Sequence, residues 1–535
     1  MVKGNQKMDI INLGSDQIER YLRSPCGVLH PEFLSVTIDI SVLLGGHWWG
    51  ESTELRQGVS VDTTVPLDLR NERLINFAQL LAPALLRIGG TEADRIWYKP
   101  GRKAAAKLFP EMEETTGEPA PDHREHRHTH EYVMTKKLWK EIHRFLDRTG
   151  MELLFTISAG PADRDEKGRW LEGNARKLMS YSKSKGFKVA AWEFGNEVNG
   201  FPFIYGWGDR VRPSQYVRDF ARFGHLVKSL YPESLILGPA SAVWPVIGEP
   251  YPIIRSLCKS PSAIFLDGVS WHYYPQQSSR GALATRRAGP ETLLSARALD
   301  GVSRWNRRIN QSLQRAESIR PAGFRVENWV TETGHALYGG EPGLSDSFAS
   351  TLWWLDELAL LAREGVSRVF RQALIGGSYG LLDEQSLLPR PDFYASFLWK
   401  RLMGPRVHAI HLEKTPNKQI RLYMHSRDSA SFTLLVINLD AKKIARLSLG
   451  KGASGIGDIE RYLLQGNGGF TGRSLLLNGL ALEEDLLFNW GKKRVSQKYR
   501  IQELGESEQD LVFTVPPRSV LFLRGSLRNQ QVLVR

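Results

Sequence analysis

Cysteine is nearly absent from this chain: Cys26 and Cys258 are the only two, and they lie far apart in sequence. So few thiols exclude a disulfide framework, and two isolated ones suit a reducing compartment, a single bridge between them being the alternative. No apolar run approaches the ~18 residues that a membrane-spanning helix needs. Residues 1–20 are polar and hold no hydrophobic stretch before a small-residue cleavage site. Together these absences predict a cytoplasmic protein, or else the mature form of a secreted one. Zinc-finger spacing, RNP-type motifs and a basic region running into heptads are missing too, which argues against a nucleic-acid module. No repeat or low-complexity segment stands out.

What is present points to a large folded globular protein. The 535 residues are 41% hydrophobic, with 15 Trp and 22 Phe, enough to build an extensive core. Lys and Arg number 71 against 58 Asp and Glu, a net charge of +13 that suits a polyanionic partner. Net charge alone does not choose among nucleic acid, an anionic membrane and an acidic polysaccharide; with the two glutamates Glu197 and Glu332, an acidic glycan is the better match.

Between residues 31 and 403, short β-rich runs alternate with longer amphipathic stretches. Strands are expected at 33–39, 84–90, 152–158, 188–194, 234–238, 268–273, 327–331 and 367–372. Tyr216, Phe220, Phe223, Val227 and Leu230 mark one intervening helix by their spacing. Phe348, Leu352, Leu355, Ala359 and Ala362 mark another, with Ser345 as the expected N-cap and Gly365 as its stop. Eight strand–helix units read as an α/β protein with a (β/α)8 TIM barrel, whose functional groups sit on the loops after the strands.

Residues 404–535 have a different texture. Runs at 419–425, 431–438, 445–449, 511–515 and 519–523 are short and β-rich, separated by Gly, Asn, Asp and Lys. They predict a C-terminal all-β sandwich, to which residues 1–30 are expected to add a strand or two. The loop at 99–131 carries Lys99, Arg102, Lys103 and Lys107, then an acidic run, then His123, His126, His128 and His130 among arginines. No cysteine joins these histidines and their spacing fits no ligand motif, so a solvated loop touching an anionic substrate is expected in preference to a metal site.

Two segments carry the chemistry. Trp192-Glu193-Phe194-Gly195-Asn196-Glu197 and Trp329-Val330-Thr331-Glu332 each run as a strand toward a carboxylate. The ends of a fourth and a seventh strand face one another across a barrel mouth. Two glutamates there are what glycoside cleavage requires: one protonated to release the leaving oxygen, one ionised to attack the anomeric carbon. Glu197, beside an Asn that can hold the sugar's 2-hydroxyl, suits the acid/base, and Glu332 the nucleophile. Neither role calls for a metal or an organic cofactor. Glu193 lies inside its strand and reads as a structural ion pair. Arg87 is either its partner or the support of the ionised nucleophile. Arg280, Arg286 and Arg287, after the sixth strand, either grip substrate anions or line a solvated loop.

Several ordered motifs resemble glycoside hydrolase family 79, the heparanase group. They are residues 33–39, Leu86-Arg87-Ile88-Gly89-Gly90-Thr91, Trp192 to Glu197, Trp271-His272-Tyr273-Tyr274, Glu332-Thr333 with Tyr338-Gly339-Gly340, and Arg371-Gln372. A weaker likeness continues through Leu477-Asn478-Gly479. The resemblance implies a barrel with a β-sandwich and retaining cleavage of β-linked glucuronic acid, exo on glucuronides or oligosaccharides, or endo on heparan sulfate-like glycans. A hyaluronidase-type endo enzyme and a non-catalytic glycan-binding relative are the alternatives. It places Glu197 and Glu332 at the acid/base and nucleophile, and Asp39, Thr91, Asn196, His272 and Gln372 against the sugar. Tyr338, the Gly339 and Gly340 amides and Tyr379 match positions that bind the uronate carboxylate. Three departures concern the mouth and its processing. The 332–338 loop is one residue longer than in animal heparanases, with Gly334-His335 in place of two serines. The 372–379 stretch is one residue shorter and ends like the leech-type hyaluronidases. No counterpart of the excised linker follows the second strand.

Overall fold

The computed structural model describes residues 9–50, 55–56, 59–99, 129–281, 284–412, 417–451, 455–492, 495–499 and 510–528. The histidines at 123–128 and Arg102, Lys103 and Lys107 lie outside them. Eight parallel strands close a barrel: β1 (Leu34–Asp39), β2 (Leu85–Gly89), β3 (Glu152–Ile157), β4 (Ala191–Phe194), β5 (Leu235–Val243), β6 (Gly268–Tyr273), β7 (Glu327–Thr333) and β8 (Arg368–Arg371). Each pairs with its neighbours in sequence, and β8 returns to β1.

A helix follows every strand: α1 (Glu72–Leu81), α2 (Lys136–Thr149), α3 (Gly173–Ser184), α4 (Pro213–Leu230), α5 (Ile253–Cys258), α6 (Gly301–Glu317), α7 (Phe348–Arg363) and α8 (Pro391–Leu402). Asn71 caps α1 by accepting from the Arg73 and Leu74 N–H groups, and Thr135 caps α2 by accepting from that of Leu138. In α4 the residues Tyr216, Phe220, Phe223 and Val227 are buried, as their spacing predicts. Ser345 does not cap α7. The N-cap is Ser347, and the Ser345 hydroxyl instead accepts from the Glu341 N–H and bonds His335. All of α7 from Phe348 to Ala362 is buried, because the β-region covers its outer face. There the Tyr423 hydroxyl donates to Asp356 at 2.6 Å.

The C-terminal region forms two sheets. The larger runs Gly27–Val28, Arg406–His408, Ile420–Ser426, Ser431–Asn438, Ser519–Leu527, Ile456–Asn467, Ser474–Leu477 and Leu480–Ala481 in pairing order. In the smaller, Asp9–Asn12 and Asp510–Val515 flank Ala445–Lys451. Leu13, Phe432, Leu434, Leu447, Phe513 and Leu521 pack between the two. The long strand Ile456–Asn467 escapes the sequence reading because Asp458, Glu460 and Arg461 interrupt its apolar pattern.

Two levels fill the barrel. At the floor, Leu85, Leu154, Ala191, Leu237, Trp329 and Phe370 form a separate apolar cluster. Above it the interior turns polar, with Thr37, Arg87, Thr156 and Glu193 all fully buried. Two irregularities aim the residues at the mouth. Strand β4 stops at Phe194, short of Glu197, because Gly195 leaves the ladder at φ +74°. No side chain fits there: a Cβ would lie 2.5 Å from Val198 Cγ2 and 2.9 Å from Ala159 Cβ. Strand β7, by contrast, continues past Glu332 to Thr333 through a bulge. Trp271 pairs with Val330, but the next residue, His272, pairs with Glu332. The extra residue, Thr331, changes the alternation, so Trp329 at the floor and Glu332 at the mouth both face inward.

Candidate active site

Glu197 follows β4 in the left-handed region, at φ 49° and ψ 40°, a conformation that non-glycine residues rarely adopt. Its neighbours hold it there. The Glu197 N–H donates to Ala240 O at 2.9 Å, and the Asn196 N–H donates to Asp94 Oδ2 at 2.9 Å. Asp94 Oδ1 accepts from the Ala159 N–H at 2.7 Å, so one buried carboxylate joins the loops after β3 and β4.

A carboxylate oxygen of Glu197, one of Glu332 and a ring nitrogen of His272 lie within 4.8 Å of one another. His272 Nδ1 stands between them, 2.9 Å from Glu197 Oε1 and 3.6 Å from Glu332 Oε2. Retaining enzymes hold their carboxyl groups about 5–5.5 Å apart, and inverting ones about 6.5–9.5 Å to admit a water. Oxygens of Glu197 and Glu332 within 4.8 Å of each other are consistent with the shorter spacing.

Surroundings separate the two glutamates. Burial pushes the Glu197 carboxyl up to about 7 against the opposing pull of Arg87, so near neutrality it holds a proton about half the time. Glu332 Oε2 accepts from Arg87 Nη1 at 3.0 Å, and Glu332 Oε1 accepts from the Tyr274 hydroxyl. Burial and the Glu332 charge raise Tyr274 well above the usual phenol range, so it stays a donor. His272 is lowered to about 4, chiefly by burial, and is neutral near pH 7. These three groups also have the chemistry of a cation site, but the Arg87 guanidinium already provides the counter-charge beside Glu332.

Arg87 resolves both options that the sequence leaves open. Its Nε donates to Glu193 Oε2 at 2.8 Å, its Nη1 to Glu332, and its Nη2 to Asn196 Oδ1 at 2.8 Å. Burial alone would raise Glu193, but Arg87 and the Thr156 hydroxyl outweigh it and hold this carboxyl low.

The other candidates ring the same mouth. Gln372 Nε2 donates to Asp39 Oδ2 at 2.8 Å and to the Tyr379 hydroxyl at 3.3 Å. Asp39 Oδ1 is buried and has no partner among the described residues. Burial, then Glu332 and Glu92, raise Asp39 well above the carboxylate range. The Asn196 side-chain nitrogen likewise meets no acceptor among the described residues. Thr91 opens the turn after Gly90 at the end of β2, half-buried and without a side-chain hydrogen bond to a described residue. Tyr338 has φ 67°, and its ring packs 5.5 Å from that of Trp49. Gly339 and Gly340 follow at φ 75° and 81°, and a Cβ on Gly340 would lie 2.8 Å from the Tyr379 nitrogen. Their N–H groups meet no acceptor among the described residues. His335 is buried between Ser345 Oγ and Gln276 Oε1, 2.8 Å from each, and burial lowers it to about 3.

Three contributors go unassigned in the sequence. Tyr274 had a signal, since it stands two residues beyond His272 and shares its face. Asp94 and Trp49 sit in loop segments where no periodicity marks them. Of the arginines after β6, Arg280 is 8% exposed and bonded to backbone rather than solvated, whereas Arg287 is exposed.

A (β/α)8 barrel presenting two glutamates at its mouth, Glu197 raised and Glu332 charge-paired, has the arrangement of a two-carboxylate glycosidase. Residues 47–359, more than half of the chain, match the N-terminal domain of glycosyl hydrolase family 79. The chain belongs to that family. It is 28% identical to the heparanase of Gallus gallus over 510 residues, covering 87% of this chain and 88% of that one. It is also 28% identical to the baicalin-β-D-glucuronidase of Scutellaria baicalensis over 466 residues, covering 82% and 79%. Among solved structures, an α-L-arabinofuranosidase from Thermotoga maritima superposes with TM-score 0.62 over 97% of this chain and 99% of its own, at 12% identity. A 4-O-α-L-rhamnosyl-β-D-glucuronidase from Fusarium oxysporum does so with TM-score 0.61 over 96% and 99%, at 14% identity. These last two likenesses speak for the fold.

Proposed function

We propose that the protein is a retaining β-glucuronidase, acting exo-fashion on glucuronides or short oligosaccharides. Glu332 attacks the anomeric carbon while Glu197 protonates the leaving oxygen, and Glu197 then draws a proton from the water that frees the sugar. The observation that carries this reading is the asymmetric pair: carboxylate oxygens within 4.8 Å, Glu197 pushed up to about 7 and Glu332 held by Arg87 and Tyr274. Asp39 Oδ1, His272 Nε2 and the Asn196 side-chain nitrogen are polar groups without a partner among the described residues and are offered to the sugar hydroxyls, with Gln372 and Thr91 beside them. The Gly339 and Gly340 N–H groups, with Tyr338 and Tyr379, offer donors to a carboxylate. A neutral sugar would leave the Gly339 and Gly340 N–H groups without that acceptor, at about 1–3 kcal/mol per buried polar group.

The net charge of +13 favours a second reading, endo cleavage of an acidic polymer. A recess of about 600 Å³ lined by Arg286, Arg297, Arg304 and Arg307 supports it. The test is hydrolysis of a chromogenic β-glucuronide beside the matching β-glucoside, with Glu197→Gln and Glu332→Gln as controls. Glucuronide turnover lost in both variants supports the exo reading. If folded wild type cleaves neither, that reading fails, and sized heparan and hyaluronan chains then separate an endo enzyme from a binding protein.

A further inference from the structure

Arg280 is a buried cation that feels the charges of Glu341, Asp346 and Asp62 without an ion-pair contact to any of them. It lies on the loop after β6, 8% exposed, and no carboxylate among the described residues stands within ion-pair distance of it. Its Nη1 donates to Gly340 O at 2.9 Å, to Gly339 O at 3.4 Å and to Ser378 Oγ at 3.3 Å. Its Nε is buried with no partner among the described residues. Holding a guanidinium in an interior without a close counter-ion is costly, and a substrate anion at the adjacent Gly339–Gly340 segment would offset that cost.

Geometry says where that anion binds. In a trans peptide the C=O and N–H point in opposite directions. Arg280 and the Ser378 N–H, the latter at 2.7 Å, both bond Gly339 O. Together they hold that carbonyl on the Arg280 side of the segment, which leaves the Gly340 N–H facing the opposite side. Donors on a carbonyl also polarise its amide, which strengthens the N–H as a donor to a negative charge. The loop has nowhere else to go: a Cβ on Gly377 would sit 2.8 Å from Gly339 O, and one on Gly340 would strike the Tyr379 nitrogen.

We propose that Arg280 sets the preference for a uronate over the corresponding neutral sugar. It acts from behind the Gly339–Gly340 segment, as a positioning residue and as the charge that the substrate carboxylate completes. This rests on the glucuronidase reading and adds a residue that the substrate need not touch. Arg280→Gln keeps a donor but removes the charge, and Arg280→Lys keeps the charge without the fork. Steady-state constants for the β-glucuronide and β-glucoside are compared with inhibition constants for free glucuronic acid and glucose, which need no turnover of the neutral substrate.

Arg280→Gln is expected to raise KM for the glucuronide and the inhibition constant for glucuronic acid by about tenfold to a hundredfold. Its kcat should change less than about threefold, and its affinity for glucose less than about twofold. Arg280→Lys should recover part of the loss, and rising ionic strength should narrow the gap between wild type and Arg280→Gln. An equal weakening of acid and neutral ligands would reduce Arg280 to a scaffold and overturn the proposal, as would unchanged glucuronate affinity. If Arg280→Gln does not fold, the acid-to-neutral ratio in Arg280→Lys decides alone, a ratio equal to wild type overturning the proposal. A wild type that binds glucuronic acid no better than glucose would instead sink the underlying glucuronidase reading.

Discussion

Arg87 and Glu332 are bonded through Nη1 and Oε2 at 3.0 Å, while the same guanidinium holds Glu193 at 2.8 Å. The cation is therefore shared between a structural carboxylate below and a reacting one above. Arg87→Met should leave Glu193 as an uncompensated buried charge and destabilise the fold by about 3–5 kcal/mol, read by denaturant unfolding. The folded fraction should also lose at least about tenfold in kcat, because Glu332 loses its support. Unchanged kcat in Arg87→Met would show that the pair is structural only.

The two glutamates should fail differently. Glu332→Gln removes the nucleophile and is expected to abolish turnover of every substrate, by about 10⁴-fold or more. Glu197→Gln removes an acid and later a base, worth about 10²–10⁴-fold. An aryl leaving group of low pKa needs little protonation, so the first step should survive in this variant and the second should stall. A stoichiometric burst of phenol followed by slow turnover is expected in Glu197→Gln and absent in Glu332→Gln.

The raised carboxyl of Glu197 sets a basic limb. An acid catalyst must carry its proton, and burial places the midpoint at about 7. Hence kcat/KM should be high below pH 7 and fall tenfold per unit above it. In Glu197→Gln the residual activity toward an activated glucuronide should lose that limb. A limb that persists unchanged would have to come from another group.

His335 links stability to pH. Burial lowers it to about 3, so the folded protein keeps it neutral at pH 5 while an unfolded chain, titrating near 6.5, is protonated. Its contribution is complete above the unfolded value and is lost as pH falls below it. Between pH 7 and pH 5 this one group should remove about 2 kcal/mol. His335→Gln should show a correspondingly smaller drop over the same interval, measured by urea unfolding at both pH values.

Gly340→Ala tests the carboxylate pocket from its backbone. At φ 81° an alanine is strained, and its Cβ would meet the Tyr379 nitrogen at 2.8 Å. Displacing the Gly340 N–H should raise KM for the glucuronide by about tenfold or more, alongside a loss of stability of about 1–3 kcal/mol from the strain. An equal rise for the glucoside would place the damage elsewhere.

The barrel was legible because parallel strands buried on both faces read as apolar runs, and all eight fall where those runs lie. Glu197 and Glu332, the proposed acid and nucleophile, stood out because each ends such a run. Their aim did not. Glu332 faces inward only through the extra residue at Thr331, and Glu197 only through the left-handed turn after Gly195. Neither a bulge nor a positive φ at a glutamate leaves a periodic trace. Arg87 was visible as a charge in a strand, but one guanidinium serving three partners is a fact of three dimensions. Ser345 carried the chemistry of a helix cap and was used elsewhere, since His335 and the Glu341 N–H compete for the same hydroxyl.

The apolar floor made by Leu85, Leu154, Ala191, Leu237, Trp329 and Phe370 closes the barrel at one end. Nothing passes through that end, so the aglycone, the freed sugar and the attacking water all move on the mouth side of the barrel.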